Sequence, residues 1–391
     1  MNLSKEQSQA ISAIANHDFS QRPFFLGGYA GTGKTFLLNT LRQYFPRILY
    51  LAPTGKACQV LSNKIPGADI RTIHSALYSA QEVSERQIAD WRTEGANGDE
   101  YAARMYEYYT RPNALRVRFS LNPCKELFSS LVVVDESSMV GWAEYNNLTS
   151  ITKNTIFVGD PAQLPPVESG SIFPNQFDAF LRDVQRAALE SPITRLAMEI
   201  RQGKFSGWGK WVKEGIGVSK KISKAEYLAA DQVLAGTNQM RNFLNKGLRK
   251  EQEDYLPVLN DKVIVKENVR RKNQLYLVNG DIGTVSAFSP SSLTTSLEVE
   301  YKKPSEHLIV LNSELMAKLY GKPMTPSPSF ADPVKLDYAY CITIHASQGS
   351  EWPSVVIYDD QMWSGRTSER RKLLYTAVTR AKEKLTVVTG G

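Results

Sequence analysis

The sequence has few of the features that mark secreted and membrane proteins. Only three of its 391 residues are cysteines, at positions 58, 124 and 341, without metal-ligand spacing. No apolar run approaches the roughly 20 residues that a membrane-spanning helix needs, and the first residues form no apolar signal segment. These absences exclude a disulfide framework and a membrane partner, and we expect a soluble protein in the reducing cytoplasm.

Low-complexity tracts and a large excess of one charge are also missing. Hydrophobic residues make up 42% and charged residues 22% of the chain, a globular composition. The 47 Lys and Arg residues exceed the 40 Asp and Glu residues, which gives a net charge of +7. This surplus is compatible with a nucleic-acid partner but leaves the question open. The length predicts two or three domains.

Short apolar strands alternate with amphipathic helices in the first part of the chain. Strands are predicted at 24–26, 48–52, 132–134 and 156–158, and Ser4 with Gln7 resembles a capping box that opens a helix. This alternation indicates an α/β fold with a parallel sheet covered on both faces.

The pattern changes twice, and each change predicts an insertion. Charged and aromatic residues dominate 79–125, and short alternating segments between Ser- and Pro-rich turns fill 281–333. Apolar strands at 233–235, 355–358 and 385–388 predict a second α/β unit. We assign the first unit to 1–78 and 126–171 with 79–125 inserted. The second unit is assigned to 172–280 and 334–391, with 281–333 as a small β insertion.

The segment that begins at Gly28 reads GYAGTGKT and matches the phosphate-binding loop G-x-x-x-x-G-K-[ST]. Its glycines permit the backbone dihedrals that let amides wrap a phosphate, and the following helix adds a favourable dipole. Lys34 would reach the β- and γ-phosphates and Thr35 would bind Mg²⁺. A chance glycine turn is the alternative. The residues assigned to ATP on this basis are Gly31, Thr32, Gly33, Lys34 and Thr35.

Acidic and amide side chains follow two further predicted strands. Asp135 and Glu136 come after four apolar residues, at the strand end where open α/β sheets bind ligands. Asp135 would hold Mg²⁺ and Glu136 would deprotonate the attacking water. Gln163 lies just beyond the next strand and would sense the γ-phosphate. An ordinary acidic strand end and an exposed Gln in a Pro-stiffened loop are the alternatives.

Polar side chains at predicted loops and strand ends in both halves could line one groove for single-stranded nucleic acid. Taken singly, each has a structural alternative as a helix cap or an ordinary buried histidine. The candidates are Thr54, Lys56, Thr72, His74, Thr237, Asn238, His345 and Ser347.

Together these segments resemble superfamily-one DNA helicases, specifically the RecD-like, bacteriophage Dda-like branch. The resemblance spans nearly the whole chain. The matching segments, in order, are 3–7, 28–35, 52–57, 72–74, 135–136, 159–166, 196–202, 236–238, 343–351 and 374–382.

The resemblance implies two RecA-like motor domains that bind ATP and Mg²⁺ in the cleft between them. It implies that Gln7 reads adenine, that Glu351 contacts the ribose, and that Arg201 and Arg380 are arginine fingers. It further implies a monomeric motor that moves 5′ to 3′ on single-stranded DNA and acts at junctions with duplex. Residues 79–125 would be a candidate pin domain and 281–333 a barrel-like insertion. Single-strand-binding or replication proteins are the expected partners.

Three functions stay open on the sequence. One is an ATP-dependent DNA helicase. The second is a DNA-stimulated ATPase that displaces bound proteins without unwinding. The third is a non-catalytic protein with a fossil site, against which the intact Lys34, Asp135 and Glu136 argue. The biological pathway, the preference for DNA over RNA and the strand-separating residue also stay open.

Overall fold

The computed structural model describes residues 3–110, 117–166, 170–174, 176–249, 259–266, 269–271, 274–277, 279–289, 294–299, 308–310, 336–359 and 367–390. The helices are α1 (Lys5–Ala15), α2 (Lys34–Leu41), α3 (Gly55–Lys64), α4 (Ile73–Leu77), α5 (Glu85–Ala96), α6 (Glu100–Thr110), α7 (Trp142–Ile151), α8 (Arg186–Leu189), α9 (Pro192–Arg201), α10 (Gly209–Lys213), α11 (Lys224–Leu228), α12 (Asn238–Leu248) and α13 (Thr367–Val378). The strands are β1 (Phe24–Gly28), β2 (Ile48–Ala52), β3 (Asp69–Thr72), β4 (Tyr78–Glu82), β5 (Val117–Leu121), β6 (Leu131–Val134), β7 (Thr155–Gly159), β8 (Ala179–Leu181), β9 (Gly217–Ser219), β10 (Gln232–Ala235), β11 (Lys262–Val265), β12 (Val269–Arg271), β13 (Gln274–Leu277), β14 (Ile282–Ser289), β15 (Thr294–Val299), β16 (Leu308–Val310), β17 (Leu336–Tyr338), β18 (Cys341–Thr343), β19 (Trp352–Asp359) and β20 (Ala381–Thr389).

The first sheet has six parallel strands in the order β3-β2-β6-β7-β1-β8. Neighbouring residues of one strand pack on opposite faces: Val133 lies in one apolar cluster and Val134 in another. The first cluster contains residues of α1 and α2, and the second contains residues of α4 and α7. Burial on both faces explains why these strands are apolar throughout rather than alternating.

The second sheet has five parallel strands in the order β18-β10-β19-β20-β9. One face packs on α9 and α13, where Leu196 and Ile200 meet Leu374. The other face packs on α12 through Leu244 and Leu248. Both predicted parallel sheets are present, which confirms the predicted α/β class.

One strand lies outside the unit to which the sequence assigned it. Strand β8 pairs with β1, as Gly27 opposite Phe180 shows, and therefore extends the first sheet, although we had placed 172–280 in the second unit. The strand is only three residues long, and it carries no periodicity that would reveal its partner. Apart from the bounds of the second insertion, the other predicted boundaries stay a proposal.

Both insertions contain β structure. In the first, β4 and β5 pair antiparallel, and α5 packs on α6 with Trp91 and Tyr109 stacked at 5.3 Å between ring centroids. In the second, the antiparallel sheet runs β16-β15-β14-β11-β17. It extends beyond the predicted 281–333, because Val263 of β11 pairs with both Gly283 and Tyr338. The alternation also predicts strand segments at 297–301 and 308–311, of which residues 300, 301 and 311 lie outside the described residues.

Within the described ranges, no helix has the length and apolar character needed to cross a bilayer.

Candidate nucleotide and nucleic-acid site

The glycine loop connects β1 to α2 and depends on glycine at two positions. Gly31 and Gly33 have φ angles of 78° and 81°, in the left-handed region that disfavours other residues. A Cβ atom at Gly33 would also lie 2.5 Å from Nε2 of Gln7. The sequence match to a phosphate loop therefore has the backbone conformation that such a loop requires.

Cationic and polar side chains close over this loop. Lys34 Nζ donates to the carbonyl oxygens of Gly28 at 2.7 Å and Tyr29 at 3.1 Å. Thr32 Oγ1 also donates to the carbonyl of Tyr29, at 2.8 Å. The ammonium group thus lies at the loop, bonded to neutral oxygens that anionic phosphate oxygens could replace.

The predicted adenine reader lies against the same loop. Buried Gln7 accepts the Ser4 amide at 3.0 Å, which completes the predicted capping box. Its Nε2 donates to the carbonyls of Thr32 at 3.2 Å and Gly33 at 3.4 Å. Its amide group is therefore engaged with protein atoms, and its contact with adenine stays a prediction.

The predicted ribose-contacting acid lies between the two units. Glu351 forms ion pairs with Lys64 at 3.8 Å and Lys382 at 3.4 Å. Burial raises the pKa of Glu351, but the charges of Lys64, Arg380 and Lys382 outweigh it and leave the pKa below its ordinary value. The contact with ribose stays a prediction.

The acidic pair follows β6 directly. Glu136 has a φ angle of 52°, unusual for a residue with a side chain and typical of functional sites. Burial raises the pKa of Asp135 and of Glu136, and the charge of Asp135 raises that of Glu136 further. Lys34 opposes both shifts, which places the acidic pair and the glycine loop in one site.

The oxygen atoms in this site fit Mg²⁺. Thr35 supplies a hydroxyl and Asp135 a carboxylate, and both are hard oxygen donors. The described residues contain no group of three His, Cys, Asp or Glu that could enclose a metal. A Mg²⁺ ion usually takes only one or two protein ligands and completes its shell with water and phosphate oxygens.

Two buried polar atoms near the loop have no hydrogen-bond partner among the described residues. They are Oε1 of Gln163 and Nη1 of Arg201. The Arg201 guanidinium lies 3.3 Å from the ring centroid of Tyr29, a loop residue. Unpaired buried polar atoms are costly, so each of these two atoms would gain from a hydrogen-bonding ligand. The arginine donor suits a phosphate oxygen, and the glutamine acceptor suits a water molecule.

The second arginine is bonded within its own unit. Buried Arg380 donates to the carbonyls of Thr376 at 3.0 Å and Ser350 at 3.1 Å, and to Thr379 Oγ1 at 3.2 Å. Its charge nevertheless lowers the pKa of Glu136, so the two side chains are near each other. A contact between Arg380 and phosphate stays a prediction.

Three contacts across the cleft were not predicted from the sequence. The Tyr375 hydroxyl donates to Asp160 Oδ2 at 2.5 Å and accepts the Ala30 amide at 3.0 Å. Gln348 Nε2 donates to the carbonyl of Leu164 at 2.9 Å. These residues lie within the matched segments, and that membership was the only signal the sequence offered for them.

The structure brings most of the nucleic-acid candidates to two pairs of neighbouring strand ends. Ala52 pairs with Thr72, so the segments that carry Thr54 and His74 begin side by side. Ala235 pairs with Thr343, so the segments that carry Thr237 and His345 also begin side by side.

Close packing joins these two pairs. A Cβ atom at Gly349 would lie 3.2 Å from Cβ of Ala57, and one at Gly280 would lie 3.9 Å from Cβ of Lys56. The N-terminus of α3 therefore contacts the second unit. The segments that carry the candidate DNA-binding residues of the two units are therefore close together.

Several candidates also have local structural roles. Thr54, Thr72 and Thr237 cap α3, α4 and α12, each accepting an amide at 3.1 Å. Asn238 is the first residue of α12. Burial lowers the pKa of His345. Ser347 is fully buried and donates to the carbonyl of Ile344 at 2.7 Å, so the structure does not bring it to the surface.

Sequence comparisons agree with this geometry. Residues 2–216 match the family described as AAA domain, and residues 338–388 match the UvrD-like helicase C-terminal domain. The ATP-dependent RecD2 DNA helicase of Deinococcus radiodurans is 23% identical over 418 residues, covering 98% of this chain and 48% of that protein. An uncharacterized protein of Methanocaldococcus jannaschii is 23% identical over 459 residues, covering 93% of this chain and 36% of that protein. The chain thus spans between a third and a half of these relatives.

Solved structures share the fold over the whole chain. A Bacteroides Pif1 bound to single-stranded DNA is 16% identical with a TM-score of 0.58, covering 100% of this chain and 92% of that one. The Pif1 helicase of Candida albicans is 17% identical with a TM-score of 0.56, covering 100% of this chain and 95% of that one.

Proposed function

Because the chain belongs to the family described as AAA domain, we propose that it is a superfamily-one helicase of the RecD-like and Pif1-like type, which hydrolyses ATP to move along single-stranded DNA. We propose that it moves from 5′ to 3′ as a monomer and separates the duplex at a junction. Its DNA-binding surface is formed by both units.

One observation carries this proposal: residues of both units meet at the glycine loop. Tyr375 of the second unit bonds the Ala30 amide, and Arg201 lies over the ring of Tyr29. A ligand at the loop would therefore contact both units and change how they pack. Only such differential contact allows a nucleotide to move one unit relative to the other.

Several polar residues of the cleft have a role in this proposal, and Gln163 would contact the γ-phosphate. Glu136 would accept a proton from the attacking water, because it lies just after β6 and shares one site with Lys34 of the glycine loop. Lys34, Arg201 and Arg380 would supply positive charge to the phosphates. When bound by Thr35 and Asp135, Mg²⁺ would neutralise phosphate charge.

The N-termini of α3 and α12 support contact with the DNA backbone. Both helices begin at one of the strand ends described above, with Thr54 and Thr237 as caps. A helix N-terminus favours anions through its free amides and its dipole. Such contacts are independent of sequence, as a motor on DNA requires.

The antiparallel pair of β4 and β5 supports unwinding over simple protein displacement. Phe119 on β5 is 50% exposed, and its ring lies edge-on to His74 at 4.5 Å between centroids. An exposed aromatic ring beside a DNA-binding candidate can stack on a base and separate it from its partner. We therefore assign Phe119 as the strand-separating residue.

Unwinding of tailed duplexes tests the proposal. The protein with ATP should separate a DNA duplex that has a 5′ tail, leave one with a 3′ tail intact, and lose the activity in Lys34→Ala. RNA substrates of the same design test the DNA preference. Unwinding from the 3′ tail alone would contradict the polarity. DNA-stimulated phosphate release that displaces a bound protein without unwinding either substrate would identify the displacement enzyme instead.

The Phe119 assignment has its own test. Phe119→Ala should lower the unwinding rate at least about fivefold while DNA-stimulated ATP hydrolysis stays within about twofold, because stacking contributes about 1–3 kcal/mol per base. Phe128→Ala is the matched control, since Phe128 is 66% exposed but lies outside the β4–β5 strand pair. Equal unwinding by the two variants would refute the assignment.

A further inference from the structure

The Tyr375 side chain crosses the cleft from the last turns of α13. It is only 2% exposed, and its hydroxyl both donates to Asp160 at 2.5 Å and accepts from the Ala30 amide at 3.0 Å. Burial, and then Asp160, raises the pKa of Tyr375 well above its ordinary value, so the hydroxyl keeps its proton. The second unit is thus bonded to the third residue of the glycine loop.

Asp160 lies at the centre of this network and is fully buried. Its Oδ2 accepts from Tyr375 and from the Ala30 amide at 3.0 Å, and its Oδ1 accepts the Ala162 amide at 2.9 Å. A buried carboxylate is costly unless it is well hydrogen-bonded. The three donors hold the glycine loop, the start of the Gln163 loop and α13 in one arrangement.

The other end of the Gln163 loop is also held by the second unit. The Leu164 amide donates to Thr376 Oγ1 at 3.1 Å, and its carbonyl accepts from Gln348 at 2.9 Å. The Leu164 side chain packs in the apolar core of the second unit. Gln163 is therefore flanked on both sides by residues that the second unit fixes.

The same network reaches the second arginine. Thr376 follows Tyr375 in α13, and its carbonyl accepts the Nε–H of Arg380 at 3.0 Å. The hydrogen bonds therefore run from the glycine loop through Tyr375 to α13 and on to Arg380. The network joins the three groups that flank a γ-phosphate in the proposed function: the loop, Gln163 and Arg380.

We infer that Tyr375 is a positioning residue, whose hydroxyl sets the register between the glycine loop, the Gln163 loop and Arg380. This inference rests on the proposed function. It assigns Tyr375 no contact with the nucleotide. Its role is to hold Arg380 and Gln163 at the distance from the loop at which they act on phosphate.

Tyr375→Phe tests the inference because it removes only the hydroxyl. We expect the kcat of DNA-stimulated ATP hydrolysis to fall about tenfold to hundredfold, as displaced catalytic groups cause. The affinity for a non-hydrolysable ATP analogue should stay within about threefold. Thr376→Val, which removes the acceptor of the Leu164 amide, should reproduce this split between binding and turnover.

Tyr50→Phe is the matched control. Tyr50 is 1% exposed, and its hydroxyl donates to the Leu38 carbonyl at 2.8 Å inside the first unit. Tyr50→Phe removes the same hydroxyl oxygen from an equally buried ring. This variant therefore measures how the loss of one buried hydrogen bond in the core affects kcat. We expect it to keep the wild-type kcat.

A double-mutant cycle separates positioning from general weakening. If Tyr375 acts through Arg380, then Tyr375→Phe should lower kcat less than about twofold when Arg380→Ala is already present. Additive losses would overturn the inference, as would a wild-type kcat in Tyr375→Phe. Wild-type protein without DNA-stimulated phosphate release would instead overturn the proposed function.

Discussion

The ends of α9 and α13 each bring an arginine to the cleft, and the two arginines differ in their partners. Arg201 lies on the ring of Tyr29 in the glycine loop, with Nη1 unpaired among the described residues. Arg380 has three hydrogen bonds, all to its own unit. Nη1 of Arg201 can therefore donate to a ligand without losing a hydrogen bond. Arg380 must exchange its present hydrogen bonds or move together with α13.

From this difference we expect the two arginines to act at different steps, one in nucleotide binding and the other in the chemical step. Arg201 has an unpaired donor that already lies at the loop, so it would stabilise the bound nucleotide before the chemical step. A donor that is fully bonded contributes only when the reacting phosphate offers a stronger acceptor. Interactions made only in the transition state change kcat, and those made with bound substrate also change affinity.

Loss of Arg380 should give the largest effect. We predict that Arg380→Ala lowers the kcat of DNA-stimulated ATP hydrolysis about a thousandfold or more, while the affinity for an ATP analogue changes less than about threefold. Arg370→Ala is the matched control on the same helix, since Arg370 pairs with Asp359 at 3.0 Å. If Arg380→Ala lowers kcat less than about tenfold, the assignment of Arg380 to the chemical step is wrong.

Loss of Arg201 should sharpen the contrast. We predict that Arg201→Ala lowers kcat/KM about a hundredfold and weakens binding of an ATP analogue about tenfold, because its unpaired donor acts before the chemical step. Arg201→Lys should restore part of the affinity, since Lys keeps the charge over the ring. Unchanged affinity in Arg201→Ala would assign both arginines to the chemical step.

The glycine loop itself offers a test of the binding side. Gly33→Ala should weaken binding of an ATP analogue at least about tenfold, because its Cβ atom would meet Gln7 at 2.5 Å. Gly67→Ala is the matched control: φ is +72°, but no atom lies within 4 Å of its Cβ position. Both variants should lose about 1 kcal/mol of unfolding free energy. Equal ATP affinity in the two would show that the loop tolerates displacement of Gln7.

The sequence predicted both parallel sheets because their strands are buried on two faces, which makes them apolar throughout and easy to recognise. The sheet of the second insertion was predicted too short. Strands β11 and β17 pair across 75 positions, Val263 with Tyr338, and no local pattern encodes such a partner.

The site shows the same limit. The glycine loop and the acidic pair could be predicted because each is a continuous segment with its own chemistry. The bond between Asp160 and Tyr375 joins residues 215 positions apart, and neither residue carries a role by type. Which residues of the matched segments contact one another depends on the tertiary structure, so the sequence alone did not predict this hydrogen bond.

The smallest expected effect concerns Glu351, which joins the two units through Lys64. Its pKa is below the ordinary value of 4.5, so its stabilising contribution is present above that pH and is lost as the pH falls through the folded-state pKa. Glu351→Gln should therefore lower the unfolding free energy by less than about 1 kcal/mol at pH 7, since the pairs are partly exposed. In denaturant titrations, the difference from wild type should shrink as the pH falls below 4.5. A constant difference across this range would assign the effect to packing.

Burial of Leu164 makes the attraction between the two units depend on temperature. This side chain belongs to the first unit's loop but lies in the apolar core of the second unit, so separating the units must expose it to water. Hydration of apolar surface carries a large positive heat capacity, and the resulting attraction weakens on cooling. Separation of the two units should therefore cost less free energy in the cold than at moderate temperature.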